Sequence, residues 1–220
     1  NAVNGTASFS IPLPFSPARS ASPAFSLNYN SGAGNGVFGL GWKLSLPSIK
    51  RKTDKDLPRY MDSDTCLFSA AEDLVPELKK EVDGSLSLDE DGNYLIKEND
   101  SSDGLFTIRF YRPRIEALFA RIERWTHKTS GEIKWRVTTQ ENITTLFGWS
   151  AASRIADPQN ENRIFEWLPE FVFDDKGNCS RYIYKKEDDQ GFDTSLLHNR
   201  NRIENENITY TNLYLEKVLY

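Results

Sequence analysis

The chain has 220 residues, of which 38% are hydrophobic and 12% aromatic, so it is long enough to bury a real core and is not a disordered chain. Its formal net charge of -5 argues against a nucleic acid partner, since phosphate binding needs a basic face. No stretch approaches the roughly 18 consecutive apolar residues of a membrane span, so none is expected.

Prolines dominate the N-terminal segment, at Pro12, Pro14, Pro17 and Pro23. Because proline restricts the chain to edge-strand or polyproline geometry, residues 1–24 are expected to be extended, partly irregular and laid along a surface. Residues 25–220 are expected to form the hairpin-rich β region of a single domain.

A glycine-rich loop, SGAGNGVFGLGW, follows the first alternating strand and contains G-x-G-x-x-G at Gly34, Gly36 and Gly39. Dinucleotide binding would require a helix after the third glycine, but the chain continues as LGWKLSLPSI, which alternates like a strand. No cofactor is therefore expected. The glycines are interpreted as a structural bend between strands that lets Phe38 and Trp42 pack close by. The signature residues of this loop are Gly32, Gly34, Asn35, Gly36, Gly39, Gly41 and Trp42.

Alternation with period two dominates the remaining chain and predicts half-buried strands around residues 25–29, 106–110, 133–137, 165–167, 182–184 and 213–219. Turn signals containing glycine separate the strands, at residues 82–85, 89–93, 102–104, 129–132 and 174–178. The pattern predicts an all-β fold of antiparallel, hairpin-rich sheets arranged as a shell or a sandwich.

One segment, RIEALFARIERW, permits two interpretations. Ile115, Leu118, Phe119 and Ile122 fall at helical spacing. The turn HKTSGE, which leads into IKWRV, favours a strand that pairs across it, and the strand is the preferred interpretation.

Catalytic residues are not evident. The histidines, His127 and His198, lie in turn-like sequence without a nucleophile pattern such as G-x-S-x-G. Glu204 and Glu206 imitate the E-x-E of arginine-specific ADP-ribosyltransferases, but the matching Ser-Thr-Ser strand is absent, and a polar loop is the simpler interpretation. We therefore expect no catalytic site and no enzyme activity.

Residues 87–98 partly match a calcium-binding EF-hand loop, at Asp89, Asp91, Gly92 and Glu98. Ser87 stands where the first aspartate is required, and the flanks alternate like strands. A β-hairpin turned by Asp91 and Gly92 explains the same residues, so no metal site is expected.

Three further groups have plain structural interpretations. Cys66 and Cys179 are expected to be buried free thiols. The cluster of Lys50, Arg51 and Lys52 is expected on a solvated surface of mixed charge. The tryptophans at positions 125, 135, 149 and 167 are expected in the core, with a sugar-binding platform as the alternative.

The whole series of segments resembles a known family. The stretch from Ser8 to Asp64, then AAEDLVPEL, YRPRIEALFARIERW, SRIADP, IFEWLPEFVFDDKGN and YLEKVLY are similar, in the same order, to the SpvB-type domain. That domain opens bacterial insecticidal Tc-toxin B components and plasmid virulence protein B. The stretch FVFDDKGNCSRYIY also resembles a YD/Rhs repeat hairpin, although Phe173 replaces the usual tyrosine.

The resemblance implies a non-catalytic structural and assembly module of a secreted bacterial toxin or virulence protein, forming part of a β-sheet shell that encloses or delivers a toxic effector. The implied partners are downstream domains of the same polypeptide, the C component, and the A component through a later propeller. The strand that runs into Tyr220 is expected to continue in a longer protein. The alternative is an autonomous glycan- or protein-binding module, with an enzyme as a distant third.

Overall fold

A computed structural model of the chain describes residues 5–17, 23–69, 72–115, 119–188, 190–191, 193, 195–197, 199 and 210–220. Its regular elements are almost all strands, with one short 3-10 turn at Ala151–Ser153. The strands are β1 Ser8–Pro12, β2 Ser26–Asn30, β3 Asn35–Gly36, β4 Gly39–Leu40, β5 Trp42–Leu44, β6 Ile49–Arg51, β7 Cys66–Phe68, β8 Glu72–Pro76, β9 Glu98–Asp100, β10 Phe106–Pro113, β11 Arg121–His127, β12 Ile133–Thr138, β13 Thr144–Phe147, β14 Arg154–Asp157, β15 Asn160–Trp167, β16 Pro169–Phe173, β17 Cys179–Lys186 and β18 Leu213–Leu219.

The main sheet is antiparallel throughout and nearly closes on itself like a barrel. Its strand order is β14-β15-β6-β7-β8-β10-β11-β12-β13-β16-β17-β18, and β9 also pairs with β10. In the described part of the chain, β14 and β18 are the two ends of this order and do not pair with each other. The prediction of an all-β, hairpin-rich, shell-like fold is confirmed.

The hydrophobic core lies inside the curved main sheet. Strand β12 shows how the sequence builds it, because Ile133, Trp135 and Val137 are buried while the alternate residues are half-exposed. Trp135 contacts Trp167 edge to face, with ring centroids 6.0 Å apart, and both side chains are 1% exposed. The core interpretation is confirmed for these two tryptophans.

The turns predicted from glycine positions are confirmed. The five glycines Gly84, Gly92, Gly104, Gly131 and Gly177 all have positive φ, between 71° and 88°. Two of these turns use the same side-chain chemistry. The carboxylates of Asp89 and Asp174 each accept the backbone N–H groups two and four residues further on, and each also binds the side-chain amide of the following Asn93 or Asn178.

The N-terminal segment forms a separate sheet of order β1-β2-β5, in which β1 is an edge strand. This matches the expectation that the proline-rich segment does not supply an inner strand. The sheet is connected to the main sheet through Phe25, whose ring contacts both Phe15 and Tyr182 edge to face. The division at residue 24 and the single-domain assignment stay predictions.

The segment with two interpretations forms a strand in its second half. Ile122 is fully buried on β11, which pairs with β12 across the predicted turn. Ile115 and Phe119 lie outside the strand with 67% and 63% exposure, and Leu118 lies outside the described residues. Helical spacing was misleading because Ile115 and Phe119 do not share the buried face with Ile122.

An arm made of residues 77–97 connects β8 to β9. Backbone hydrogen bonds form a closed ring within it, from Lys79 N to Leu95 O, from Leu95 N to Ser87 O and from Ser87 N to Lys79 O, at 2.8–3.0 Å. The arm exposes apolar side chains at Val82, Leu86, Leu88 and Tyr94. The hairpin interpretation of the EF-hand-like segment is correct, since Asp89 N binds Asn93 O at 2.9 Å.

The expectation of a solvated basic cluster was wrong for Arg51, which is 4% exposed. Arg51 lies two residues after the fully buried Ile49 on β6, so both side chains lie on the same, inward face of the strand. Its Nη1 binds Asp64 at 2.8 Å and its Nε binds the carbonyl of Ile164 at 2.9 Å, which compensates the buried charge.

The cysteine expectation was half right. Cys66 is buried, and desolvation raises the pKa of its thiol to about 11. Cys179 is exposed, because it opens β17 on the face that points away from the core.

Candidate functional site: the glycine loop and the sheet edges

The glycine loop connects β2 to β5 as a compact double turn. Asn30 N donates to Gly41 O at 2.9 Å, and Gly41 N donates to Gly34 O at 3.1 Å. Between these bonds, β3 and β4 form a minimal hairpin in which Asn35 pairs with Leu40 and Gly36 with Gly39. The loop thus returns the chain beside β2 with no helix after the glycines.

The tightest contacts in the loop are at Gly36 and Gly41, where a side chain has no room. A Cβ on Gly36 would lie 2.3 Å from the backbone oxygen of Trp42, and one on Gly41 would lie 2.6 Å from the Tyr29 ring. Gly39 and Gly41 also have positive φ, of 98° and 82°. A Cβ on Gly34 would meet nothing within 4 Å, so the crowding is specific to particular positions.

Gly32 lies at the start of the loop, where its N–H binds the Asn30 side chain at 2.8 Å. Trp42 packs on Tyr29 of β2, with ring centroids 5.3 Å apart. Phe38 does not pack as expected and is 50% exposed, because it occupies the outer tip of the β3–β4 hairpin. Val37 and Leu40 are exposed beside it, so the tip presents an apolar surface to solvent.

The histidines and glutamates that the sequence offered as catalytic or metal-binding candidates have structural roles, where the structure describes them. The Nδ1 of His127 accepts the backbone N–H groups of Thr129 and Ser130, at 3.3 and 3.1 Å, and so caps the β11–β12 turn. Glu98 Oε2 pairs with Arg109 Nε at 2.9 Å on β10 and is not directed toward Asp89. His198, Glu204 and Glu206 lie outside the described residues.

Trp125 and Trp149 are half-buried and belong to an aromatic cluster on the face opposite the core. The ammonium of Lys134 lies 4.1 Å from the centroid of the Trp149 ring and 4.2 Å from that of Phe106. One face of each ring is therefore covered by a cation, and a sugar could not stack there without displacing the lysine. The geometry does not favour the platform interpretation.

A network of ion pairs, which the sequence pattern did not reveal, holds residues 52–65 against the main sheet. Asp62 pairs with Arg109 at 2.5 Å and with Arg124, while Asp64 pairs with Arg51. Burial raises the pKa of Asp62, but the two arginines outweigh it and hold the pKa below its ordinary value. Each arginine of this network, Arg51, Arg109 and Arg124, occupies a core-facing position of its strand. The alternation of inward and outward positions along these strands was therefore the sequence signal that could have identified them as inward-facing.

The two ends of the main sheet face each other across a narrow gap. A cleft of about 270 Å³ lies there, lined on one side by Arg154 and Asp157 of β14 and on the other by Lys186 and Leu213. At the far end of β18, Leu219 and Tyr220 are 48% and 45% exposed. In the N-terminal sheet, the edge strand β1 exposes Phe9 and Ile11. The described residues thus include strand edges with apolar side chains and no paired neighbour.

Comparison with known proteins agrees with this architecture. The family model described as the Salmonella virulence plasmid 65kDa B protein, SpvB, matches residues 1–220. The chain belongs to this family. It is 34% identical over 191 residues to mono(ADP-ribosyl)transferase SpvB of Salmonella typhimurium strain 14028s, which covers 86% of the chain and 31% of that relative.

Solved structures show the same similarity. The N-terminal domain of effector protein SpvB from Salmonella typhimurium strain LT2 superposes with a TM-score of 0.76 at 31% identity, covering 96% of the chain and 62% of that domain structure. TcdB2-TccC3 without its hypervariable C-terminal region gives 0.79 at 32% identity, covering 97% of the chain and 9% of that structure. The Photorhabdus luminescens Tc holotoxin pore gives 0.76 at 33% identity, with 97% and 9% coverage.

The chain therefore spans about a third of the curated relatives that it matches, and about a tenth of the Tc complex chains. The matches lie within a virulence protein, an effector and toxin complexes. In the described residues, no helix is long and apolar enough to cross a membrane.

Proposed function

We propose that the chain is a non-catalytic wall-building module of a secreted bacterial toxin or virulence protein. Its sheet supplies part of a shell that encloses or delivers a toxic effector. The observation that carries the proposal is the nearly closed sheet with unpaired edges at β14 and β18, in a fold shared at 31–34% identity with an effector domain and with Tc complexes.

The mechanism is mechanical. Antiparallel strands laid side by side satisfy their backbone groups within the wall, and flanking strands of the parent protein or of a partner subunit satisfy the groups at the edges. The proposed partners are downstream domains, the C component and, through a later propeller, the A component. The glycine loop serves this role by turning the chain sharply between β2 and β5, where Gly36 and Gly41 allow the backbone to approach closely.

Ion pairs stabilise the wall from inside. Arg51 and Arg124 are 4% and 8% exposed at the side chain, and each is paired with an aspartate from residues 52–65. Such pairs fix one arrangement of residues 52–65 on the sheet, since breaking a buried pair leaves an uncompensated charge. The charges of Arg51 and Arg124 therefore serve to position residues 52–65 on the wall.

The test uses the isolated chain, whose edges have no flanking strands. We expect concentration-dependent association in sedimentation velocity, and we expect Ile11→Lys combined with Leu219→Lys to reduce it, because lysine on an edge strand discourages pairing. Leu57→Lys is the matched control, since Leu57 is 85% exposed and lies outside the strands. A monodisperse monomer at all concentrations would count against the proposal.

A separate assay addresses catalysis. Nucleotide hydrolysis and ADP-ribosyl transfer by the isolated chain should be at background. A reproducible turnover that is lost in Glu206→Gln would overturn the non-catalytic assignment.

A further inference from the structure

A row of side chains crosses the face of the main sheet that points away from the core. Strand register places its members side by side, and we call them the outer row: Phe110, Glu123, Arg136, Leu146, Phe171, Arg181 and Leu219. Side chains alternate between the two faces of a strand. Arg136 lies between the buried Trp135 and Val137, so the outer row lies on the face opposite the core.

One cation of the outer row, Arg136, has a carboxylate only at the outer limit of ion-pair distance. Arg136 Nε is buried and makes no hydrogen bond within the described residues, and it lies 3.9 Å from Glu123 Oε2. Glu123 is already engaged, because it forms an ion pair with Arg121 Nε at 2.9 Å and accepts a hydrogen bond from Trp125 Nε1 at 3.1 Å. The Arg136 side chain is 32% exposed, so a ligand can reach its guanidinium.

A second cation lies further along the outer row. Arg181 is exposed, and its guanidinium carbon is 5.6 Å from the centroid of the Phe171 ring. In the part of the chain that the structure describes, no carboxylate lies within ion-pair distance of Arg181. Between the two arginines lie Leu146 and Phe171, both half-buried. The arrangement is thus cation, apolar pair, cation, in a protein whose net charge is -5.

The spacing of the two cations suits an extended peptide. Arg136 lies on β12 and Arg181 on β17, with β13 and β16 between them, so three inter-strand steps of about 4.8 Å separate them by about 14 Å. An extended chain rises about 3.4 Å per residue, and that distance corresponds to about four residues. Residues i, i+2 and i+4 of such a chain share one face.

We propose that the outer row binds an extended acidic peptide segment with the pattern acidic-x-apolar-x-acidic, crossing the strands of the sheet. Its two carboxylates pair with Arg136 and Arg181, and its central apolar side chain packs on Leu146 and Phe171. Charge complementarity selects this occupant, because guanidinium groups bind carboxylates through charge-assisted hydrogen bonds. The inference does not depend on the proposed shell role.

A shallow groove of about 550 Å³ adjoins the outer row and offers room for the peptide to continue. Its lining includes Arg121, Thr138, Thr144 and Phe173. Asp174 is also at the groove, but its carboxylate accepts the turn amides of Lys176 and Asn178. Asp175 lines the groove as well, Arg121 is paired with Glu123, and the hydroxyls of Thr138 and Thr144 bond each other at 3.1 Å. The groove therefore contributes room for the peptide beside Arg136 and adds no positive charge to the site.

The chain carries a suitable reporter position. Cys179 pairs with Phe173 in the strand register and has an exposed thiol, whereas Cys66 is buried with a pKa raised to about 11. An environment-sensitive maleimide dye should therefore label Cys179 alone. The probe is the acetylated, amidated peptide Glu-Thr-Phe-Thr-Glu, and we expect a saturable fluorescence change, checked by calorimetry with unlabelled protein.

We expect each of the substitutions Arg136→Gln and Arg181→Gln to raise the Kd for the peptide about tenfold, since each removes one charge-assisted contact. Arg163→Gln is the control, because Arg163 is 55% exposed and pairs with Asp157, away from the outer row. The isomeric peptide Glu-Glu-Phe-Thr-Thr, which has the same charge but not the spacing, should bind more weakly. Because Arg181 is exposed, Arg181→Gln tests the proposal even if Arg136→Gln fails to fold.

Three results would overturn the proposal. The first is the absence of saturable binding up to millimolar peptide. The second is equal affinity for the two peptides, which would indicate only nonspecific attraction. The third is self-association of the chain that is abolished by Arg181→Gln while peptide binding is unchanged, which would make a second copy the occupant.

Discussion

Replacement of Gly36 by alanine should destabilise the glycine loop, whereas the same change at Gly34 should not. The new Cβ at Gly36 would lie 2.3 Å from the backbone oxygen of Trp42, and the next nearest atom, the carbonyl carbon of Trp42, would be at 3.5 Å. Backbone cannot rotate away as a flexible side chain can. The β3–β4 hairpin must therefore shift as a unit to relieve the contact.

The expected cost follows from this clash. Overpacking of a well-packed site costs about 1–3 kcal/mol, and a contact with backbone belongs at the upper end, so we expect a loss of about 2–3 kcal/mol. In a domain of this size 1 kcal/mol corresponds to about 2–4 °C in Tm, so the expected decrease is about 5–10 °C if the loop unfolds with the domain. Gly36→Val carries the same Cβ and should lose at least as much.

The assay combines thermal unfolding with amide hydrogen exchange. Exchange at Asn30 and Gly41 reports on the loop directly, because their N–H groups bind Gly41 O and Gly34 O. The control is Gly34→Ala, whose Cβ meets nothing within 4 Å, and its unfolding free energy should stay within about 1 kcal/mol of the parent. If both variants lost the same unfolding free energy, or if neither lost any, the assignment of Gly36 to a crowded bend would be refuted.

Three further outcomes are expected. Arg51→Leu should lower the free energy of unfolding by about 3–5 kcal/mol in urea titrations, because it leaves Asp64 buried without its cation; a loss below 1 kcal/mol would contradict this. At neutral pH a thiol reagent should modify Cys179 quickly and Cys66 only after denaturation, since burial raises the pKa of Cys66 to about 11; two fast thiols in the native protein would contradict burial. Two arginines outweigh desolvation and lower the pKa of Asp62, so its stabilisation is present above the unfolded pKa of about 3.9 and is lost as pH falls through the lower folded value. Asp62→Asn should therefore be less stable than the parent at pH 7, and the difference should shrink in urea titrations below pH 4; a difference that grows on acidification would show that the sign is wrong.

The features that the sequence predicted are those set by local interactions. A glycine in a turn needs positive φ whatever surrounds it, and the five predicted turn glycines have it. Asp89 and Asp174 each organise a turn through residues only two and four positions away. Alternation likewise placed Trp135 inside, because the two faces of a strand are distinguished by adjacent residues.

The features that the sequence did not predict depend on which strands become neighbours. A buried arginine is stable only with a partner, and the partners of Arg51 and Arg124 come from the irregular strap of residues 52–65. Phe38 illustrates the same limit: apolar character alone does not say which face a side chain occupies, and Phe38 lies at an exposed hairpin tip.

The outer row shows why register matters for function. The sequence around Arg136 and Arg181 does not distinguish them from ordinary exposed arginines of an acidic protein, and neither belongs to a basic run. They become a pair only because β13 and β16 lie between their strands and because the register aligns Arg136 with Leu146, Leu146 with Phe171 and Phe171 with Arg181. A slip of one residue in any of these pairings would move an arginine to the core face. If the outer row binds an acidic peptide, its specificity therefore depends on the hairpin turns that set the register, and a change in turn length between β16 and β17 should abolish binding while both arginines are retained.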